Sequence, residues 1–176
     1  MNYFEFYNIP VSFLPDQKLV KSRFYELSKQ YHPDFYVNES DAKQKEILEL
    51  STLNNKAFQV LSHKNKTLAY VLELEGELLE GEKYDLPADF LMEMMEVNEA
   101  LMEMEFDFDA DKLIEIKHQV QQIEADLDKE NEENIEKYES VNQLDKKELL
   151  KKIKDIYYRK KYLLRIRESL LIFASR

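Results

Sequence analysis

Apolar residues recur three and four apart along most of this chain, the spacing of amphipathic helices. Val20, Phe24, Leu27 and Tyr31 make one apolar face. At about 100° per residue, Lys18, Lys21, Tyr25 and Lys29 fall on the opposite side, with Arg23 at the flank. Pro15 suits the first turn of this helix and Asp16 its electropositive start, while Pro33 stops it after Gln30 and Tyr31. A second helix is predicted to begin near Glu39 to Asp41 and to carry Ile47, Leu50, Leu53, Ala57, Val60 and Leu61 inward. Together the two predict an antiparallel hairpin with His32-Pro33-Asp34 at its tip. Thr67 to Leu74 continues as a short helix.

Gly76 to Pro87 holds both glycines and a proline in an acidic setting and reads as a connector. Three helices follow. The first runs from about Ala88 to Glu105. Asp107 or Asp109 caps the second, in which Leu113, Ile116, Val120, Ile123 and Leu127 alternate three and four apart; Glu130 to Glu133 is its charged continuation or its fraying end. The third begins near Asn142 to Lys146 and carries Leu149, Ile153, Ile156, Lys160, Leu163 and Leu170. Sustained spacing of this kind predicts a coiled-coil-like three-helix bundle. The expected class is all-α: a helical-hairpin domain over residues 1–75, a linker over 76–87 and a three-helix bundle over 88–176.

Composition narrows the function classes. With 2 glycines, 4 prolines and 35% charged residues, the 176-residue chain fits a nearly all-helical protein. Cysteine is absent, which removes disulfides, thiolate metal sites and cysteine nucleophiles. No run of about 18 apolar residues exists to span a membrane. The first residues lack the basic and apolar regions of a signal peptide, and a cytoplasmic location is the simplest expectation. A net charge of -11 argues against nucleic acid as the main partner, since phosphates need a basic surface. Residues 73 to 111 are almost purely acidic, with Lys83 the only base, whereas residues 146 to 167 are rich in Lys and Arg. Two helices of one bundle attracting each other account for that asymmetry.

Candidate chemistry is sparse. His63 and His118 stand alone without metal-ligand spacing. No nucleophile triad, paired catalytic acids or phosphate-cradling glycine loop is evident, so neither a metal nor another cofactor is expected. His32-Pro33-Asp34 has two readings. As a turn it needs only the proline and an Asx-type hydrogen bond. As a docking element it offers a carboxylate, an imidazole and a rigid kink at the end of a basic helix, suited to an acidic groove containing an arginine. The stripe of Lys18, Lys21, Tyr25 and Lys29 is either a solvated face or one that steers docking. In the helix from Ala88 to Glu105, Phe90, Met94, Val97, Leu101 and Met104 suffice for packing. Leu91, Met92, Met95 and Met102 then lie on the far side among Glu96, Glu99 and Glu103. That second apolar face either packs inside the protein or is a methionine-rich binding patch rimmed by carboxylates.

The basic helix, the tripeptide, the polar loop and the following helix with Leu53-Asn54-Asn55-Lys56-Ala57-Phe58-Gln59-Val60-Leu61-Ser62 resemble a J domain. J domains dock on DnaK-type ATPase chaperones and trigger their ATP hydrolysis. The whole chain resembles the HscB family, the J-domain co-chaperones of iron–sulfur cluster assembly. Tyr3-Phe4 near the start, Ala69-Tyr70-Val71-Leu72-Glu73-Leu74-Glu75-Gly76, and Phe90-Leu91-Met92-Glu93 carry this resemblance, which is weak from Asp107 to Lys152. It implies an L-shaped protein that binds an HscA- or DnaK-like ATPase through His32, Pro33 and Asp34, and the scaffold protein IscU through the bundle. Family scaffold contacts fall on Leu91, Met92, Met95, Glu96, Glu99, Glu103 and, on the last helix, Tyr162. There are departures: a lysine that often follows the tripeptide is Phe35, and an arginine common in the binding helix is Asn98. The cysteine-bearing N-terminal extension of some eukaryotic relatives is absent, so the resemblance implies no zinc.

The expected function is therefore a monomeric co-chaperone without catalysis of its own, holding scaffold and chaperone together. A J-domain protein with a different client, and a structural helical adaptor in which the tripeptide is only a turn, are the competing expectations.

Overall fold

The computed structural model describes residues 1–79, 81–141 and 143–174, which contain helices and no strand. The chain forms two compact units, Met1–Gly76 and Glu77–Arg176.

The first unit holds α1 (Tyr3–Tyr7), α2 (Gln17–Gln30), a 3-10 turn (Pro33–Tyr36), α3 (Asp41–Leu61) and α4 (Lys64–Leu74). Asp16 is the N-cap of α2, accepting from the backbone of Lys18 at 2.8 Å, so Pro15 lies just outside the helix rather than in its first turn. Ser40 caps α3 in the same way. Contacts between Gln17 and Leu61, Phe24 and Phe58, and Ser28 and Asn54 run in opposite senses along α2 and α3, which makes them an antiparallel hairpin. The short α1 exists because Asn2 and Glu5 form a capping box at its start. It packs on α4 by the Tyr3–Tyr70 ring stack, centroids 4.6 Å apart, and by the Tyr3 N–H donating to the Tyr70 hydroxyl. Phe4, Tyr7, Val20, Ile47, Leu61 and Leu72 fill the core.

One polar side chain sits in that core. Asn54, 1% exposed, accepts from the Tyr7 hydroxyl at 2.9 Å and donates to the Phe24 carbonyl and the Ser28 hydroxyl. Its hydrogen-bonding capacity is met by α1 and α2 together, so it ties both to α3.

The second unit holds α5 (Ala88–Phe106), α6 (Ala110–Ser140) and α7 (Gln143–Ala174). Asp109, not Asp107, caps α6, accepting from the backbone of Asp111 and Lys112. The stretch Glu130 to Glu133 does not fray: Asn131, Asn134 and Ile135 are buried, and α6 continues to Ser140. Asn142, the first residue of the predicted start of the third helix, lies outside the described residues. Ion pairs Asp128–Lys160 and Glu124–Arg167 show that α6 and α7 run antiparallel. Both acids lie outside the acidic stretch of residues 73 to 111; among the described residues, the ion pair that joins that stretch to the basic one is Glu82–Lys154, and Glu82 precedes α5 rather than lying on it. Met94, Val97, Leu101 and Met104 of α5 join Leu113, Ile116 and Val120 of α6 and Ile156, Leu163 and Ile166 of α7 in one core. Lys160, placed at core spacing by the sequence, reaches its flank to meet Asp128 instead.

The end of the segment read as a linker is built into this unit. The Tyr84 ring stacks on Tyr158 at 4.4 Å, and its hydroxyl donates to Asp155 at 2.7 Å. Glu82 accepts from Lys154 and from the Tyr158 hydroxyl. These contacts strap residues 82–86 onto α7 just before α5 begins.

Candidate functional site

Two surfaces contain the candidate residues, one in each unit. On the first unit, α2 presents Lys18, Lys21, Tyr25 and Lys29 as an exposed face, while Val20 is fully buried behind it. Tyr31 caps α2, and the chain turns into the 3-10 segment. That turn is pinned from several sides. The Tyr36 hydroxyl donates to the Gln30 carbonyl at 2.8 Å, and the Phe35 N–H donates to the His32 carbonyl at 3.1 Å. Pro33 stands at the first position of the turn, where its missing N–H costs nothing.

Within this turn, His32 and Asp34 have separate roles. The His32 Nδ1 accepts the Asp34 N–H at 3.3 Å, so the imidazole is the N-cap of the 3-10 turn. The Asp34 carboxylate is left in solvent, 83% exposed and 3.7 Å from the His32 ring nitrogen. A carboxylate held on a pinned turn at the end of a basic helix is preorganised for a charge-assisted bond to a cationic group. Phe35, beside it, is 69% exposed and tilted against the imidazole; Val37 is also exposed. Sequence reasoning noted Phe35 only as a missing lysine, yet it adds apolar surface at this tip.

On the second unit, α5 has the two faces that its spacing predicts. Phe90, Met94, Val97, Leu101 and Met104 are buried. Leu91, Met92, Met95 and Met102 are exposed, Leu91 the least of them at 37%. They lie on two adjacent lines along the helix. Leu91, Met95, Asn98 and Met102 form one line, and Met92, Glu96, Glu99 and Glu103 form the next. The carboxylates therefore border the apolar stripe on one side rather than surrounding it.

The other border is made by α7. Tyr162 is partly buried, its ring edge-on to Phe90 with centroids 6.0 Å apart, and the Asn98 side chain donates to its hydroxyl at 3.2 Å. Asn98 thus holds Tyr162 beside the stripe, a role that sequence reasoning missed. Phe106, almost fully exposed, extends the apolar surface past the end of the stripe.

The three acids are not equivalent. Glu96 and Glu99 are exposed. Glu103 is engaged by the Lys112 ammonium of α6, whose hydrogen bond holds its carboxyl below the usual glutamate range. Burial raises the Tyr84 hydroxyl far above its ordinary value, so the strap residue is a neutral donor. A separate groove of about 310 Å³ between α6 and α7 is lined by residues such as Lys117, Arg167 and Leu171, and none of the candidate residues borders it. Among the described residues, no group of three or more His, Asp or Glu is placed to hold a metal ion, and no helix is long and apolar enough to cross a membrane.

Comparison with known proteins places the chain in a family. A sequence model of the HSCB C-terminal oligomerisation domain matches residues 86–171. The co-chaperone protein HscB homolog of Vibrio campbellii is 32% identical over 138 residues, covering 73% of this chain and 81% of that protein. The co-chaperone protein HscB homolog of Psychromonas ingrahamii is 34% identical over 137 residues, covering 77% of this chain and 80% of that protein. The crystal structure of human co-chaperone protein HscB superposes with a TM-score of 0.76 at 25% identity, covering 98% of this chain and 81% of the human one. Chaperone HscB from Vibrio cholerae superposes with a TM-score of 0.62 at 26% identity, covering 97% of this chain and 99% of that one. With a bundle matched by the family model and relatives alike over most of their length, the chain belongs to the HscB family of co-chaperones.

Proposed function

We propose that this protein is a J-type co-chaperone in iron–sulfur cluster assembly. It docks on an HscA- or DnaK-type ATPase through His32, Pro33 and Asp34 and brings the cluster scaffold IscU to it on the exposed face of α5. The observation that carries the reading is the Asp34 carboxylate, held in solvent on a pinned turn at the end of a basic helix. Lys21, Tyr25 and Lys29 steer the approach and set its register on an acidic partner. Leu91, Met92 and Met95 form the desolvated centre of the scaffold contact, with Tyr162 on one border and Glu96, Glu99 and Glu103 on the other.

The protein's contribution is then non-covalent. Binding both partners turns their encounter into an intramolecular one, at an effective concentration on the order of millimolar for a short connection. ATP hydrolysis remains the chaperone's chemistry. The test is steady-state ATPase of the chaperone with this protein added: His32→Gln or Asp34→Asn should abolish the stimulation while leaving the melting temperature nearly unchanged. A folded variant that still stimulates contradicts the docking role.

One observation favours a second reading, a J-type co-chaperone with another client. The side chain at position 98 is an asparagine bonded to Tyr162, and offers no cation to a scaffold. Capture of a client other than IscU from cell extract by the wild-type chain, lost in a Met95 variant, would support that reading.

A further inference from the structure

The sulfur chemistry of this chain is confined to methionine, and the methionines divide sharply by environment. There are 6 methionines and no cysteine. Met94 and Met104 are 0% and 1% exposed in the bundle core, whereas Met92, Met95 and Met102 are 62%, 59% and 62% exposed. The remaining one, Met1, begins the chain. Thus every exposed thioether beyond the first residue stands on the far face of α5, the surface proposed above to bind the scaffold.

We propose that Met92, Met95 and Met102 are a methionine-oxidation site through which two-electron oxidants switch off client binding. The inference rests on the reading of this face as a client-binding surface. Hydrogen peroxide transfers one oxygen to the thioether, giving a sulfoxide and water; sulfur is oxidised and peroxide reduced. The product replaces an apolar, polarizable group with a strongly polar, chiral S=O acceptor. In the free protein this group sits in water and costs the fold little, because these side chains are outside the core. In the complex it would be buried against apolar partner atoms without a donor, the situation that makes a buried polar group unfavourable.

Position strengthens the effect. Met95 and Met102 share the line of Leu91 and Asn98, and Met92 heads the acidic line. Three sulfoxides would convert every exposed methionine of this face and leave Leu91, with Phe106 past the end of the stripe, as the remaining exposed hydrocarbon. Met94 and Met104, buried in the core, keep the bundle intact under the same dose. Sulfoxides are returned to thioethers by methionine sulfoxide reductases, so the site is reversible. The chaperone-docking turn contains no sulfur and is unaffected. Oxidation therefore separates the two activities: the chain still stimulates the chaperone but no longer brings it a client.

The test uses the full chain, hydrogen peroxide and IscU. Peptide mass spectrometry after graded peroxide should show Met92, Met95 and Met102 oxidised well before Met94 and Met104. Calorimetric titration with IscU should then show affinity weakened at least about tenfold, as for loss of an interface anchor. Treatment with methionine sulfoxide reductases should restore it, and IscU-independent ATPase stimulation should not change. In a chain carrying Met92→Leu, Met95→Leu and Met102→Leu, whatever its starting affinity, peroxide should leave that affinity unchanged. The proposal is overturned if the oxidised chain binds as tightly as the untreated one, if Met94 oxidises alongside Met95, or if peroxide weakens the leucine variant equally. An untreated chain that does not bind IscU at all would instead refute the underlying reading of the face.

Discussion

Met94 and Met95 are chemically identical neighbours on α5 whose truncation should have opposite consequences. Met94 is fully buried in the bundle core, and Met95 is 59% exposed. Replacing Met94 with alanine removes its transfer free energy and leaves a cavity, a loss of about 2 to 5 kcal/mol. For Met95, burial of a whole methionine side chain is worth about 1.5 to 3 kcal/mol, and less than half of it is covered, so the loss is about 1 kcal/mol at most. For a domain of this size, each kcal/mol lowers the melting temperature by roughly 4 to 8 °C. Met94→Ala should therefore cost roughly 10 °C or more, and Met95→Ala only a few degrees. Binding should show the reverse. If Met95 is a desolvated anchor, its truncation costs about 1 to 2 kcal/mol of affinity, or roughly 5- to 30-fold in Kd. Thermal melts and calorimetric titration with IscU on both variants give the comparison. A Met95→Ala chain that melts as low as Met94→Ala, or that binds IscU like the wild type, would refute the assignment of this face to a partner.

Other consequences follow from the same geometry. Reversing both Lys21 and Lys29 should slow association with the chaperone more than it speeds dissociation, as should added salt; an association rate indifferent to both would leave the stripe merely solvated. Asn54→Ala removes the side-chain hydrogen bonds that tie α1 and α2 to α3, leaving the Tyr7 hydroxyl only the backbone carbonyl of residue 54, and should destabilise the first unit by roughly 2 to 4 kcal/mol in denaturant melts, where a loss below about 1 kcal/mol would contradict the network's role. The hydrogen bond from Lys154 holds the Glu82 carboxyl below its ordinary range. Its stabilisation of the strap is therefore fully present above the ordinary glutamate value of about 4.3 and lost as pH falls through the lowered one. Glu82→Gln should flatten that part of the melting-temperature profile of the second unit, and an unchanged acid limb would sever the strap from its stability.

What was legible in the sequence was the periodic part. Val20 to Leu27, Ile47 to Leu61 and Phe90 to Met104 repeat apolar residues often enough to fix helices and faces, and each face faces where its spacing puts it. Short or locally decided features were not read. The five-residue α1 has too few turns for periodicity, and only the Asn2–Glu5 capping box marks it. The start of α4 was read late because His63 makes no side-chain cap there. Tertiary pairings were also out of reach. Lys112 lies nine residues from Glu103 across a helix junction, and Tyr84 meets Asp155 from the other end of the unit. At the site, the exposure of Leu91, Met92 and Met95 followed from helix geometry, since a core using Phe90, Met94 and Val97 leaves them outside. The semi-buried state of Tyr162 did not, because it depends on where α7 meets Asn98.

In the proposed function, one chain couples a chaperone-triggering turn to a client-binding helix. Steady-state ATPase of the chaperone, measured with and without IscU for wild type, Asp34→Asn and Met95→Ala, tests it most directly. Wild type should stimulate alone and more strongly with IscU. Asp34→Asn should stimulate in neither condition, and Met95→Ala should keep the first stimulation and lose most of the increment from IscU. Loss of both activities in a folded Met95→Ala chain, or an undiminished IscU increment, would contradict it.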